Sequence, residues 1–194
     1  MDATPTTTTP QATAGARQEL LALLREGGRG AANRSSERVR TLLEQLEKGH
    51  PADLARDGDS LKGVWELRWS SSSLPYLAVA PWLENLQVLD PGRGRGMNLL
   101  RLAGPLGPLA GIAVQARIAV EGPQRVSVRF ERGGWLGPRL GERRLELFRQ
   151  VKQSYPAWLD ITVLDRDLRV CRGNAGTLFA LLRRTDLEVE ALLG

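Results

Sequence analysis

The chain has 194 residues, of which 42% are hydrophobic and 25% charged, the make-up of a folded domain rather than a disordered, collagenous or coiled-coil chain. A single cysteine, Cys171, excludes an internal disulfide and any zinc site built on several thiolates, and a single histidine, His50, removes most acid–base and metal constellations. The formal charge of +5 hides an uneven distribution, since Pro91 to Lys152 holds twelve Arg or Lys against four Asp or Glu.

The polar run Met1–Thr13 has no signal-peptide core, so residues 1–16 read as a disordered tail and a reducing, cytosol-like compartment is expected. Residues 17–50 carry two helices. Ala16–Glu26 places Leu20, Leu21, Leu23 and Leu24 in a stripe that Gly27 and Gly28 end. Ser35–Lys48 places Val39, Leu42, Leu43 and Leu46 on one face, with Ser35 as the expected cap.

From Gly63 the hydrophobic period changes to 2. Trp65, Leu67 and Trp69 alternate with Glu66 and Arg68; Ile112 to Val120 and Val126 to Phe130 alternate likewise, each reading as a half-buried antiparallel strand. Shorter strands are predicted at 86–89, 97–102, 161–164, 168–171 and 177–182, and one more helix over 141–153. About eight short strands joined by turn residues predict an antiparallel β-barrel over 51–194, with a mainly-β fold behind the two helices. The charge-free stretches Trp69–Leu83 and Leu102–Ala116 have 15 residues each, too short for a spanning helix.

No catalytic or metal-binding constellation emerges. Gly92–Gly96 is flanked by strand-like residues and reads as a hairpin rather than a phosphate loop. Ser70–Ser73 has no base beside it, and Asp160, Asp165 and Asp167 surround a tight turn whose amides they can cap. The basic middle segment has two open readings, a solvated surface and a dock for anionic membrane. It offers few aromatics of the kind that stack on bases, so nucleic acid is not expected.

Two motifs carry a family resemblance. Gly63-Val64-Trp65 resembles the strand start of lipocalins, where an indole closes the barrel floor beneath an Arg from a late strand. The run from Trp158 to Phe179, including Asp165, Asp167, Arg169, Arg172, Gly173 and Gly176, closely resembles the closing signature of plastid lipid-associated proteins, the fibrillins. Arg29-Gly30, Leu46–Pro51, Leu61–Leu67, Leu86-Gln87 and Val126–Phe130 are similar to that family too, so the resemblance covers about Leu20 to Arg183. Val163 stands where the family commonly has Tyr, so no role of that hydroxyl carries over.

The resemblance implies a lipocalin-like barrel, peripheral to thylakoid membranes or lipid bodies, of the cyanobacterial type. It implies a lipid, quinone or carotenoid as ligand and no catalytic residue. The alternative is a bilin-lyase-like enzyme or photosynthetic assembly factor on a related barrel. The residues expected to line the cavity are Trp65, Leu67, Trp69, Val114, Ile118, Val128 and Phe130. The expected membrane face is Trp135 and Leu136 with Arg139, Arg143, Arg144, Arg149 and Lys152. Strand alternation places Arg172 over Trp65 and leaves Arg169 on the wet face.

Overall fold

The computed structural model describes residues 10–194 except 75–76, 142 and 153–155, together with the side chains in that range apart from those of Pro108 and Arg139. Helix α1 spans Pro10–Arg25 and α2 spans Ser36–Gly49. The first helix therefore includes seven residues expected in the tail; residues 1–9 lie outside the described part. Ser35 makes no side-chain capping bond to α2, while His50 closes the helix by donating its backbone N–H to the Leu46 carbonyl.

A short helix α3 (Leu54–Asp57) leads into the strands: β1 (Gly63–Ser70), β2 (Leu83–Asp90), β3 (Arg95–Leu102), β4 (Gly111–Glu121), β5 (Arg125–Leu140), β6 (Arg143–Gln150), β7 (Ala157–Leu164), β8 (Leu168–Gly173) and β9 (Leu178–Arg183). A last helix, α4, covers Val189–Leu193. Every pairing among these strands is antiparallel, in the order β4-β3-β2-β1-β9-β8-β7-β5, and β4 pairs with β5 to close an eight-stranded ring. The ninth strand, β6, pairs with the far half of the 16-residue β5. Near its start β5 pairs with β7, Arg125 to Val128 against Asp160 to Ala157, and further along Arg132 to Leu140 face Gln150 to Arg143 of β6. Two strands in succession thus use one long edge.

The segment 141–153 is accordingly no helix where it is described. Leu147 pairs with Trp135 and Phe148 with Gly134, and the edge that β5 offers overrides the weak helical stripe.

Two kinds of packing surround the ring. Leu20, Leu21 and Leu24 of α1 and Val39, Leu42, Leu43 and Leu46 of α2 form a core with Trp69, Val163, Leu168, Val170, Leu178, Ala180 and Leu182, the outer face of β1, β7, β8 and β9. Inside the ring lie Trp65, Leu67, Ile118, Val126, Ile161, Leu164, Cys171, Phe179 and Leu181, joined by Ala52, Leu54 and Leu61 from the segment before β1. That segment closes the end where β1 begins, fixed by the N–H of Ala52 on the Thr162 carbonyl (2.9 Å) and of Leu54 on the Pro123 carbonyl (2.7 Å). At the opposite end, the mouth, the β5–β6 hairpin runs on beyond the ring.

Candidate ligand-binding barrel

The floor is built around Trp65, which is fully buried and donates its indole N–H to the Leu61 carbonyl at 3.0 Å. Two guanidinium groups lie over its ring, Arg183 at 4.2 Å and Arg169 at 5.2 Å from the centroid. Arg183 also donates to the carbonyls of Lys62 (2.8 Å), Ser60 and Arg166, so it ties three segments together beneath the barrel. Gly63 permits this. A side chain there would collide with the Arg183 guanidinium, and its φ of 156° is one that glycine takes freely. The glycine–any–tryptophan motif is thereby explained as a gap for a cation followed by the ring that receives it.

Arg169, not Arg172, is the late-strand arginine over the indole. On β8 it pairs across to Leu181, which faces inward with Leu67, whereas Leu168, Val170 and Arg172 face the helices. Arg172 binds Glu47 of α2 through Nε (2.9 Å) and Nη2. The expected alternation was one residue out of phase because apolar residues occupy both faces of this strand: helices cover the side that was read as dry interior. Cys171, on the inward face, is buried, and burial pushes its thiol up from the ordinary value.

A different cause displaces Trp69. Register shifts in the β1–β9 pairing between Leu67 and Trp69, a bulge that turns Trp69 outward, where its indole donates to Ser36 Oγ at 3.0 Å. Of the other residues expected to line the interior, Trp65, Leu67 and Ile118 belong to the inner core and Val128 packs against it. Val114 and Phe130 share their face by register, Phe130 opposite Ala116 and Val114 opposite Gly133.

Toward the mouth the inward row becomes accessible. Ile112 pairs with both Leu100 and Trp135, and Trp135 with Leu147, which gives one apolar band across β3, β4, β5 and β6. Ile112 is 63%, Trp135 36% and Leu147 71% exposed. Leu136, expected beside Trp135 on a membrane face, points the other way and is buried with Leu99, Ala113 and α4. Arg144 also turns to that outer side, half-buried near Leu99, Gly107 and Leu136. Arg143, Arg149 and Lys152 are exposed, and the Arg139 side chain lies outside the described residues.

Two clusters of charge fix the frame. Asp165 Oδ1 accepts from the N–H groups of Asp167 (2.8 Å) and Leu168 (2.9 Å), and its carboxylate binds Arg17 of α1 at 2.6 Å. Burial alone would push Asp165 up, but Arg17 and the two turn amides hold it below the usual carboxylate value. On the outer face of β1 and β2, buried Glu66 and Glu84 share Arg29 and Arg184, while Arg101 binds Glu84 at 2.7 Å. Sequence reading took Glu66 for a wet residue. The only signal was its place opposite Leu86 on a strand pair, which does not reveal that the α1–α2 connection folds over it.

No helix among the described residues is long and apolar enough to cross a membrane, and no group of His, Cys, Asp or Glu among them is arranged to hold a metal ion.

A closed antiparallel ring with a cation-capped tryptophan at its floor and an apolar band at its mouth defines a lipocalin-like barrel. The PAP_fibrillin family model matches residues 14–182, and the chain belongs to that family. It is 26% identical to a probable plastid-lipid-associated protein 2 of Arabidopsis thaliana, covering 80% of this chain and 66% of the relative. It is 26% identical to plastid lipid-associated protein 1 of Brassica campestris, covering 80% and 62%. To a chromoplast-specific carotenoid-associated protein of Cucumis sativus it is 24% identical, covering 73% and 58%. The chain thus spans just under two thirds of the length of the curated relatives it matches. No solved structure matches it.

Proposed function

We propose that this protein binds one small apolar ligand, a lipid or isoprenoid such as a quinone or carotenoid, inside the barrel. We also propose that it docks peripherally on anionic membrane or lipid bodies through the β5–β6 hairpin, with thylakoid membrane as the surface. The observation that carries the reading is an apolar band that register puts on the inner face of the strands, half-buried Leu100 followed by exposed Ile112, Trp135 and Leu147. An eight-stranded barrel has room for side chains or for one small ligand. Accessible apolar surface on the concave side of such a ring favours the second use, because leaving it wet costs roughly 25 cal/mol per Å². Relatives named for lipid and carotenoid association agree with this reading.

Docking follows from charge. Arg143 and Arg149 lie on the strand that carries Leu147 and Lys152 lies just past its end, and each basic group near an anionic surface contributes about 1 kcal/mol. Trp135 supplies an interfacial ring.

Extraction of the purified protein followed by mass spectrometry tests the first part, with a quinone, carotenoid or acyl lipid expected. Val128→Asp places a charge in the interior and should abolish binding of an apolar dye; normal folding with undiminished binding would refute the interior as the ligand site. Co-sedimentation with phosphatidylglycerol vesicles should fall steeply with salt. Equal binding to neutral vesicles at high salt would refute the electrostatic dock.

A further inference from the structure

Arg169 is unusual among the arginines of this protein. Its side chain is fully buried inside the ring, and its Nε and Nη1 have no hydrogen-bond partner. Nη2 donates to the neutral Gln87 amide oxygen and the guanidinium lies over Trp65. No carboxylate among the described residues binds it, although other arginines reach one: Arg17, Arg29, Arg101, Arg172 and Arg184 each do. The neighbouring charge, Arg183, has the same sign.

A buried cation without a counter-charge is costly, and a buried donor left unmade forfeits its hydration. The indole offsets part of this cost, since a cation–π contact strengthens when it is desolvated. It does not satisfy the N–H groups. Burial lowers the guanidinium to about 10, still well above neutral pH, so the group keeps its charge.

The position of the cation matters as much as its deficit. Arg169 shares the inner face with Leu67, Leu181 and Leu164. Gln87, its partner, is only half-buried, and Asn98 opposite Gln87 is exposed, so polar side chains step across β3 and β2 from solvent to the guanidinium.

We propose that Arg169 is the head-group anchor of the barrel and takes the carboxylate of a single-chain lipid whose hydrocarbon tail runs toward the Ile112–Trp135–Leu147 band. The carboxylate takes the place of the Gln87 oxygen on Nη2, bridges to one of the two free donors, Nε or Nη1, and supplies the missing counter-charge. A neutral carbonyl gains less, because it brings no counter-charge and cannot form the two parallel hydrogen bonds that a carboxylate makes with a guanidinium. The inference rests on the reading of the barrel as a lipid-binding site and names the chemical class of that lipid.

The test titrates the delipidated full chain with cis-parinaric acid and with its methyl ester, following probe fluorescence at neutral pH. The wild type should bind the acid about tenfold more tightly than the ester. Arg169→Met should bring the acid to the affinity of the ester, and Arg169→Lys should keep part of the preference because the charge remains. Equal binding of acid and ester by the wild type overturns the anchor while leaving an apolar site standing. Binding of neither probe overturns both readings. Retention of the acid preference in Arg169→Met overturns the anchor by placing recognition elsewhere, on the basic surface for example. Should Arg169→Met fail to fold, the wild-type comparison and Arg169→Lys decide the matter by themselves.

Discussion

The wall formed by β1, β7, β8 and β9 and the wall formed by β4, β5 and β6 use the same antiparallel hydrogen bonding to opposite ends. In the first, outward Leu168 and Val170 are buried under the helices while inward Arg169, Cys171 and Leu181 are buried in the ring. In the second, outward Arg117, Arg129 and Arg132 are wet, and inward Ile112 and Leu147 are largely exposed as well. A strand covered on both faces contributes twice to the core; β4 and β5 are covered only in part, by Ile118 and Val126 inside and by Ala113 and Leu136 beside α4, and their mouth ends are held mainly by the ladder and cross-strand pairs. Stability is therefore concentrated in the helix-clad wall, which leaves the bare wall free to meet a ligand or a surface.

Breaking the buried charge network beside the helix-clad wall should have the largest effect. Glu84→Leu leaves Arg29, Arg101 and Arg184 without their shared carboxylate, and unfolding in urea should show a loss of about 3 kcal/mol or more. A near-neutral result would mean that Glu66 alone balances the cluster.

Acid comes next. The folded pKa of Asp165 lies below its ordinary value of 3.8, so its contribution is complete above that pH and disappears as the pH falls further. Asp165→Asn should thus lower stability near neutrality, by about 1 kcal/mol given the partly exposed Arg17, and should flatten the acid limb below about pH 4. An unchanged acid limb in thermal scans across that range would detach α1 from the stability of the turn.

Smaller still is the pair Arg172–Glu47, whose arginine is 40% exposed. A double-mutant cycle with Arg172→Ala and Glu47→Ala should give a coupling of about 0.5 kcal/mol. Least of all, Leu147→Ser on the bare wall should change stability by no more than about 0.5 kcal/mol while weakening vesicle binding. A clear drop in melting temperature would show that the band at the mouth is core after all.

Sequence patterning reached the fold class because the half-buried strands alternate cleanly. Val126, Val128 and Phe130 face in, while Arg125, Ser127 and Arg129 do not. It failed where both faces are dry. In the β8 run Leu168-Arg169-Val170-Cys171-Arg172, alternation is present, but nothing local says which phase meets helices and which meets the interior. It failed also at the bulge after Leu67, since an inserted residue leaves no mark in the hydrophobic pattern. Strand β6 was missed because Leu147 and Phe148 face opposite sides and only the partner edge of β5 identifies the segment as a strand. The floor was legible in part. Gly63 and Trp65 were singled out, but Arg183 lies beyond the motif and nothing near it in the chain marks its role.

The long reach between the helical pair and the strands that receive it has a kinetic consequence. Arg17 binds Asp165, 148 residues away, and α1 and α2 pack on β8 and β9, which are made almost last. At ribosomal speeds of roughly 5–20 residues per second, the helices wait on the order of ten seconds for their partner surface. Meanwhile β2 to β6 form by neighbouring hairpins, which close quickly. The nascent chain can pair the two helices with each other early, but their sheet-facing leucines stay uncovered until the last strands emerge and β9 meets β1 to shut the ring.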